Sequence, residues 1–321
     1  MSLASWFAVR RELSPHRQRV LGLGSFLLPL LIWCAVSYIP FIWHPMVIVT
    51  KPGDVDYFQA DMLIDKSIFK DELANMEAAG KALPEGLPAN PIYLPAPHAV
   101  AKALYTGFTT APEQRDGKWL HESLWHSIQI IFWGFLISSL IGVPLGILCG
   151  TYSAISRINE PFIEFFRYLP APAFGALAVA ILGIYDGPKI AIIVIGTLFQ
   201  QILIVANTTR KLDYSLLEAG LTLGTSKLKL LLHVIIPGIL PELYRDQRIL
   251  LGWAWTYLIV AELIGTSSGI TWFITQQARY QHFDNVYAAI IIIGIIGFGG
   301  DLVLAWLSKH LFPWDRSANK E

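Results

Sequence analysis

Residues 122–150 read ESLWHSIQIIFWGFLISSLIGVPLGILCG. Past Glu122 no Asp, Glu, Lys or Arg interrupts the run, and the hydrocarbon of a bilayer, about 30 Å thick, is crossed by roughly 20 such residues in a helix. Residues 124–150 are therefore read as a membrane-spanning helix. Gly142, Gly146 and Gly150 recur at every fourth position and share one helix face, which lets a neighbouring backbone come close. Pro144 on the same helix should kink it, a distortion tolerated where neighbouring helices satisfy the freed carbonyl.

Windows of the same character fall at 20–43, 162–185, 190–206, 249–265 and 287–307, which makes six spans, the fourth and fifth of them short. Composition agrees: the 321 residues are 54% hydrophobic and 15% charged with mean hydropathy +0.50, whereas soluble domains carry about 25% charged residues. The bilayer is the chain's solvent, and the fold class is all-α, a polytopic membrane protein. A formal net charge of zero leaves no basic excess for nucleic acid. Cys34 and Cys149 lie inside apolar runs, where they read as small hydrophobes rather than as a disulfide or a metal pair.

Charge position gives the orientation. Arg10, Arg11, Arg17 and Arg19 precede the first window, which is longer than a signal-peptide core and reads as an uncleaved anchor. Basic residues near a span resist translocation, so residues 1–19 are expected in the cytoplasm, and six crossings return the tail 309–321 to the same side. Arg157, the six basic residues of 210–248, Lys309, Arg316 and Lys320 then lie inside, with only Lys189 and Arg279 in short outer loops. Residues 44–121 lie outside. Within them Leu63, Ile64, Ile68, Leu73 and Met76 space an amphipathic helix between 61 and 82, closed by LPEGLPANP. This segment is expected to be a short helical excursion on the outer face, or else a docking surface for a partner.

On the inner side, residues 212–246 read LDYSLLEAGLTLGTSKLKLLLHVIIPGILPELYRD. Asp213 or Ser215 can cap a helix running through Leu223, Gly224 breaks it, and a basic helix should follow to Pro237. Leu216, Leu217, Leu221 and Leu223 are too many apolar side chains for a solvated loop and predict insertion into a groove.

Glu218, Ala219 and Gly220, then Gly224 after three residues, then Val234, Ile236 and Pro237, resemble the EAA loop of ABC importer permeases. That pattern is E-A-A-x3-G-x9-I-x-L-P; Gly220 stands for its third alanine and Ile236 for its leucine. Further stretches are similar to the nitrate/sulfonate/taurine/bicarbonate branch of type I importer permeases: YLPAPHAVAKAL at 93–104, residues 122–150, PFIEFFRYLPAPAF at 161–174 and GWAWTYLIVAELIGTSSGI at 252–270. Together they cover nearly all of 93–307, and the stretch from about 50 to 91 departs from the family. The resemblance implies a MetI-like five-helix core at 122–308, a first helix at 20–43 as an outer arm, and a cytoplasmic coupling loop at 211–237. It also implies a bacterial inner membrane and two cytoplasmic ABC ATPase subunits, which bind the ATP–Mg; this chain binds no cofactor. The other implied partners are a second permease subunit, identical or closely related, and a periplasmic or lipid-anchored substrate-binding protein. Lipids surround the chain, and no nucleic acid takes part.

Polar residues inside the spans are few: Gln129, Arg167, Gln200, Gln201, Asn207, Glu262 and Asp301. Intramembrane ionisable groups are costly and should face an interior, paired. Arg167 would favour a small anion if it lines a path, and otherwise snorkels to the inner surface. Gln200 and Gln201 point about 100° apart, and Gln200 is taken for the path. Glu262 is a further path candidate, although its place suits a hydrogen bond to backbone in the 265–269 turn. Gly265, Ser267 and Gly269 match G-x-S-x-G without the strand-to-helix elbow or the His and acid partners of a hydrolase. GLTLGTSK has the wrong spacing for a phosphate-cradling loop, so ATP hydrolysis is assigned elsewhere. His121 and His126 share no helix face and predict no metal site. A secondary transporter, the rival reading, would show inverted repeats with charged or broken midplane helices.

Overall fold

The computed structural model describes residues 14–39, 42–112, 118–264 and 268–315. They divide into two compact units: residues up to Thr106 with Gln277–Ala288, and Gly107–Gln276 with residues from Ala289 onward. Arg10, Arg11, Gly265, Ser267, Arg316 and Lys320 lie outside the described residues.

In the first unit α1 (Pro15–Tyr38) is a 24-residue helix whose Leu23, Phe26, Leu28 and Leu31 are exposed, as lipid-facing residues are. It is followed by a small antiparallel sheet of β1 (Met46–Lys51), β2 (Leu63–Asp65) and β3 (Glu85–Ala89) in the order β2-β1-β3, with α2 (Lys66–Ala78) between β2 and β3 in the chain. The helix expected between 61 and 82 is α2, but the three-stranded sheet beside it is not among the sequence expectations. Val47 pairs with Ile64, and together with Val49 they bury against Phe69 of α2, with Phe58 stacked on Phe69 at 5.9 Å. Gly86 is required because a Cβ there would lie 2.4 Å from Val47 Cγ1. Asp65 caps α2 by accepting from the Ser67 amide, and the Ser67 hydroxyl and amide hold its carboxyl below the usual carboxylate range. The last helix of this part is α3 (Pro97–Thr109).

The second unit is helical. Its elements are α4 (Leu120–Thr151), α5 (Ser153–Arg167), α6 (Gly175–Leu182), α7 (Asp186–Arg210), α8 (Tyr214–Thr222), α9 (Lys227–Leu230), α10 (Ile236–Ile264), α11 (Ile270–Arg279) without its last three residues, and α12 (Phe283–Leu311) from Ala289 onward. Among the described residues α1, α4, α7 and α12 are long and apolar enough to cross a membrane. The window at 162–185 is not one straight span: it is α5 and α6, bent by 87°. Pro170 and Pro172 cause the break, since a residue before proline avoids the helical region and proline has no amide to donate; a short 3-10 turn, Ala171–Phe174, fills the corner. The fifth window, 249–265, is the C-terminal part of α10, which falls short of that apolar standard because Glu242, Arg245, Asp246 and Arg248 sit in the same helix.

α4 and α7 form the spine of this unit. A Cβ at Gly134 would lie 2.7 Å from Ile193 Cγ2, at Gly142 2.9 Å from Gln201 Oε1, at Gly146 2.7 Å from Val205 Cβ and at Gly150 2.4 Å from Thr209 Cβ. With Ser138, these small residues form one stripe on α4 that matches Ile193, Thr197, Gln201, Val205 and Thr209 on α7, both at four-residue spacing. The stripe starts two turns earlier than the three glycines seen in the sequence. Gly146→Leu should overpack this contact and cost about 1–3 kcal/mol, read as a lower thermal midpoint in detergent, whereas the same change at Gly294 of α12, which has nothing within 4 Å, should leave the midpoint unchanged.

Candidate functional site

The segment between α7 and α10 folds as a helical hairpin. Asp213 caps α8 by accepting from the Ser215 amide at 3.0 Å, and the Ser215 amide and hydroxyl hold its carboxyl below the usual carboxylate range, so the cap is charged at neutral pH and weakens only as pH falls through that lowered value. At the other end the Gly224 amide donates to Leu221 O at 2.9 Å and the Thr225 amide to Gly220 O at 3.1 Å. This is the paired closure of a Schellman turn, which needs a left-handed residue; Gly224 supplies it with φ +72°. Leu217 packs inward against the cluster that contains Ile235 and Ile239, while Tyr214, Leu216, Leu221 and Leu223 are exposed, Leu223 at 85%. Glu218 and Ala219 are exposed on the same helix. Gly220 is buried, because a Cβ there would lie 2.6 Å from Leu230 Cδ1.

The basic helix does not end at Pro237. α9 passes through a π-turn, Leu231–Ile235, directly into α10, with Pro237 in that helix's first turn. Proline cannot donate to the carbonyl four residues back and its ring crowds it; the wider turn just before Pro237 relieves that crowding. The hairpin and α10 are therefore one continuous element.

Inside the unit the polar residues cross-link helices at three levels. At the hairpin end Arg210 donates to Ser156 at 3.0 Å and pairs with Glu160, joining α7 to α5, and Thr208 donates to Asp246 of α10 at 2.5 Å. Arg248 makes a two-pronged pair with Asp301, 3.0 and 2.9 Å, joining α10 to α12. Midway, Ser138 donates to Gln201 Oε1 at 2.7 Å, and the Gln201 amide donates to Ser139 at 2.9 Å and to Gln247. Gln201 is fully buried and Gln200 only partly so. At the far end Glu262 is buried; it accepts from Ser127 at 2.5 Å and from the Thr271 amide at 2.8 Å, while Ser127 accepts from the Ile270 amide at 2.8 Å. That carboxylate thus anchors the N-terminus of α11. Lys189, 0% exposed, donates to Ser268 Oγ at 2.5 Å and pairs with Asp186 at 3.2 Å, which also meets His126 at 3.0 Å. Arg167 ends α5 exposed, with its guanidinium 4.9 Å from the Tyr168 ring.

Sequence reading did not find the Gln201 network or buried Lys189. The available signals were Ser138 on the glycine stripe and the three-residue step from Asp186 to Lys189 within an apolar setting.

Residues 142–314 match the family model described as binding-protein-dependent transport system inner membrane component. The chain belongs to that family. It is a multi-pass membrane permease subunit of the ABC type and not a member of an enzyme family. Among its relatives, the taurine transport system permease protein TauC of Escherichia coli K12 is 31% identical, over 70% of this chain and 81% of the relative. The putative aliphatic sulfonates transport permease protein SsuC of the same organism is also 31% identical, over 69% and 82%. The fold is similar to a chain of the inward-facing MetNI methionine ABC transporter, with TM-score 0.53 and 18% identity over 62% of this chain and 97% of that one. The family's description places a binding protein among its partners.

An alanine at position 220 tests the local packing. Gly220→Ala should be tolerated, because only the flexible tip of Leu230 must move. Gly224→Ala should cost about 1–2 kcal/mol from the left-handed backbone, seen as faster amide exchange across α8 with the melting of the whole chain little changed.

Proposed function

We propose that this chain is the membrane-spanning subunit of an ATP-driven importer for a small anion of the nitrate, sulfonate or taurine, or bicarbonate class. ATP–Mg binds and is hydrolysed on separate cytoplasmic ATPase subunits. The reading rests above all on the hairpin, where Leu216, Leu221 and Leu223 project from a helix stiffened at both ends. Burying a leucine contributes about 1.5–3 kcal/mol, so three held rigidly outward favour a groove on a partner. Glu218 beside them adds a charge that a complementary groove can read. The names of TauC and SsuC, which concern taurine and aliphatic sulfonates, support an anionic group on the solute.

In this assignment the hairpin and both termini are cytoplasmic in a bacterial inner membrane. A second copy or close relative completes the path, and a periplasmic or lipid-anchored binding protein delivers the solute. Gln200, whose side chain makes no hydrogen bond within the described residues, is assigned to the path ahead of Glu262, whose carboxyl is occupied by Ser127 and the Thr271 amide. Arg167 is assigned to the path's inner mouth. The hairpin can bias the opening of that path only if the ATPase grips it differently in two states.

Uptake into proteoliposomes holding the permease, its ATPase and its binding protein tests the reading. Glu218→Lys and Gly224→Pro should each lower ATP-driven uptake by at least about tenfold, a coupling loss above roughly 1.4 kcal/mol, while the subunit still inserts. Uptake that needs no ATPase, or normal uptake by both variants, would point instead to a secondary transporter. Leu223→Cys should react with an impermeant thiol reagent only after the inner membrane is opened.

A further inference from the structure

A cleft of about 270 Å³ lies between α10 and α12, lined by Arg245, Arg248, Leu302, Trp306, Ser308 and Lys309. Its charged lining groups are all cations. Arg248 is held by Asp301, and Arg245 by Glu242 at 2.8 Å and by Asp315, with these carboxylates outside the lining. They fix the two guanidinium groups in place and balance much of their charge. Lys309, by contrast, makes no ion pair among the described residues and is exposed at the rim.

The surroundings set the cleft's depth in the membrane. Trp306 and Trp314 are exposed, the Tyr244 hydroxyl donates to Leu304 O at 3.0 Å, and Tyr244 and Trp314 both pack on Phe312. Tryptophan and tyrosine gather at the headgroup level, where one end of the ring is apolar and the other wet. From this ring of aromatics an apolar wall, Phe298, Leu302 and Val303, runs exposed along α12 toward the middle of the bilayer. A cationic cleft at headgroup depth with an apolar wall leading away from it is the shape of an amphiphile.

We propose that this cleft holds the headgroup of an anionic phospholipid, in the leaflet on the hairpin's side of the membrane, with the acyl chains against the wall of α12. Basic pockets between membrane helices take such headgroups. With the arginines already countered, Lys309 is the charge that selects, which suits a single phosphodiester anion such as phosphatidylglycerol better than a polyphosphate. Inorganic phosphate shares the anionic chemistry but would gain nothing from the apolar wall. The site is separate from the hairpin, so it stands or falls independently of ATPase coupling.

Native mass spectrometry of the full chain, with any subunits that co-purify, tests this with phosphatidylglycerol and phosphatidylcholine of identical acyl chains. Phosphatidylglycerol should be retained preferentially, and Lys309→Gln should weaken that preference about fivefold, the factor one basic residue supplies at a membrane surface. The variant's thermal midpoint without lipid should match the parent's, since Lys309 holds no ion-pair partner among the described residues. Equal retention of the two lipids, an undiminished preference in Lys309→Gln, or displacement of the lipid by millimolar inorganic phosphate would each overturn the proposal. The last outcome would identify a plain anion site.

Discussion

The close approach of α4 and α7 is the contact on which the second unit depends. Between helices in lipid there is no hydrophobic driving force, because acyl chains are as apolar as leucine, so association must come from packing and hydrogen bonds. The stripe Gly134, Ser138, Gly142, Gly146 and Gly150 removes side-chain bulk along five successive turns of α4, and side chains of α7 fill the space. Ser138 and Gln201 then bond across the contact at a depth where water cannot compete. α10 joins by the same means, through Gln247 on Gln201 and Asp246 on Thr208, so the third helix is attached to the first two by polar contacts made on their common seam.

The intramembrane polar residues follow from this. A buried unpaired charge is expensive and a paired one is held firmly in place, and in this chain Glu262 with Ser127 and the Thr271 amide, Asp186 with His126, Lys189 with Ser268, and Arg248 with Asp301 all tie one element to another. Their positions are not arbitrary: one set anchors the start of α11, the other locks α12 to α10 near the hairpin end. A charge that carries structure cannot readily also exchange ligands, because its departure would leave its partner buried alone.

Much of this architecture was legible in the residues. A run such as 124–150 admits few solvents but lipid, and the four-residue glycine spacing announced a close helix contact before any partner helix was known. The hairpin was legible as well, since Asp213, Gly224 and the leucines each carry a local signal. What hydropathy windows cannot see is direction. The prolines at 170 and 172 leave the average of 162–185 apolar while turning the chain through 87°, and the π-turn before Pro237 hides a continuous helix behind a residue that normally ends one. The sheet of the first unit escaped for a different reason: its strands are three to six residues long, and Gly86 and Pro88 in β3 read locally as a turn.

The π-turn has a mechanical consequence. Had Pro237 ended the basic helix in a flexible loop, a displacement of α8 would dissipate in that loop. Instead the backbone runs helically from Lys227 to Ile264, and α8 is fastened to it by Leu217, which packs on the cluster of Leu231, Ile235 and Ile239, and by Gly220 against Leu230. A force on the exposed leucines is therefore a force on α10. That helix is bonded to α7 through Gln247 and to α12 through Arg248, and its last turn holds Glu262 at the foot of α11. Since packed interiors switch between discrete arrangements rather than bending smoothly, movement at the hairpin must either be resisted outright or carry this set of contacts together to the opposite end of the unit.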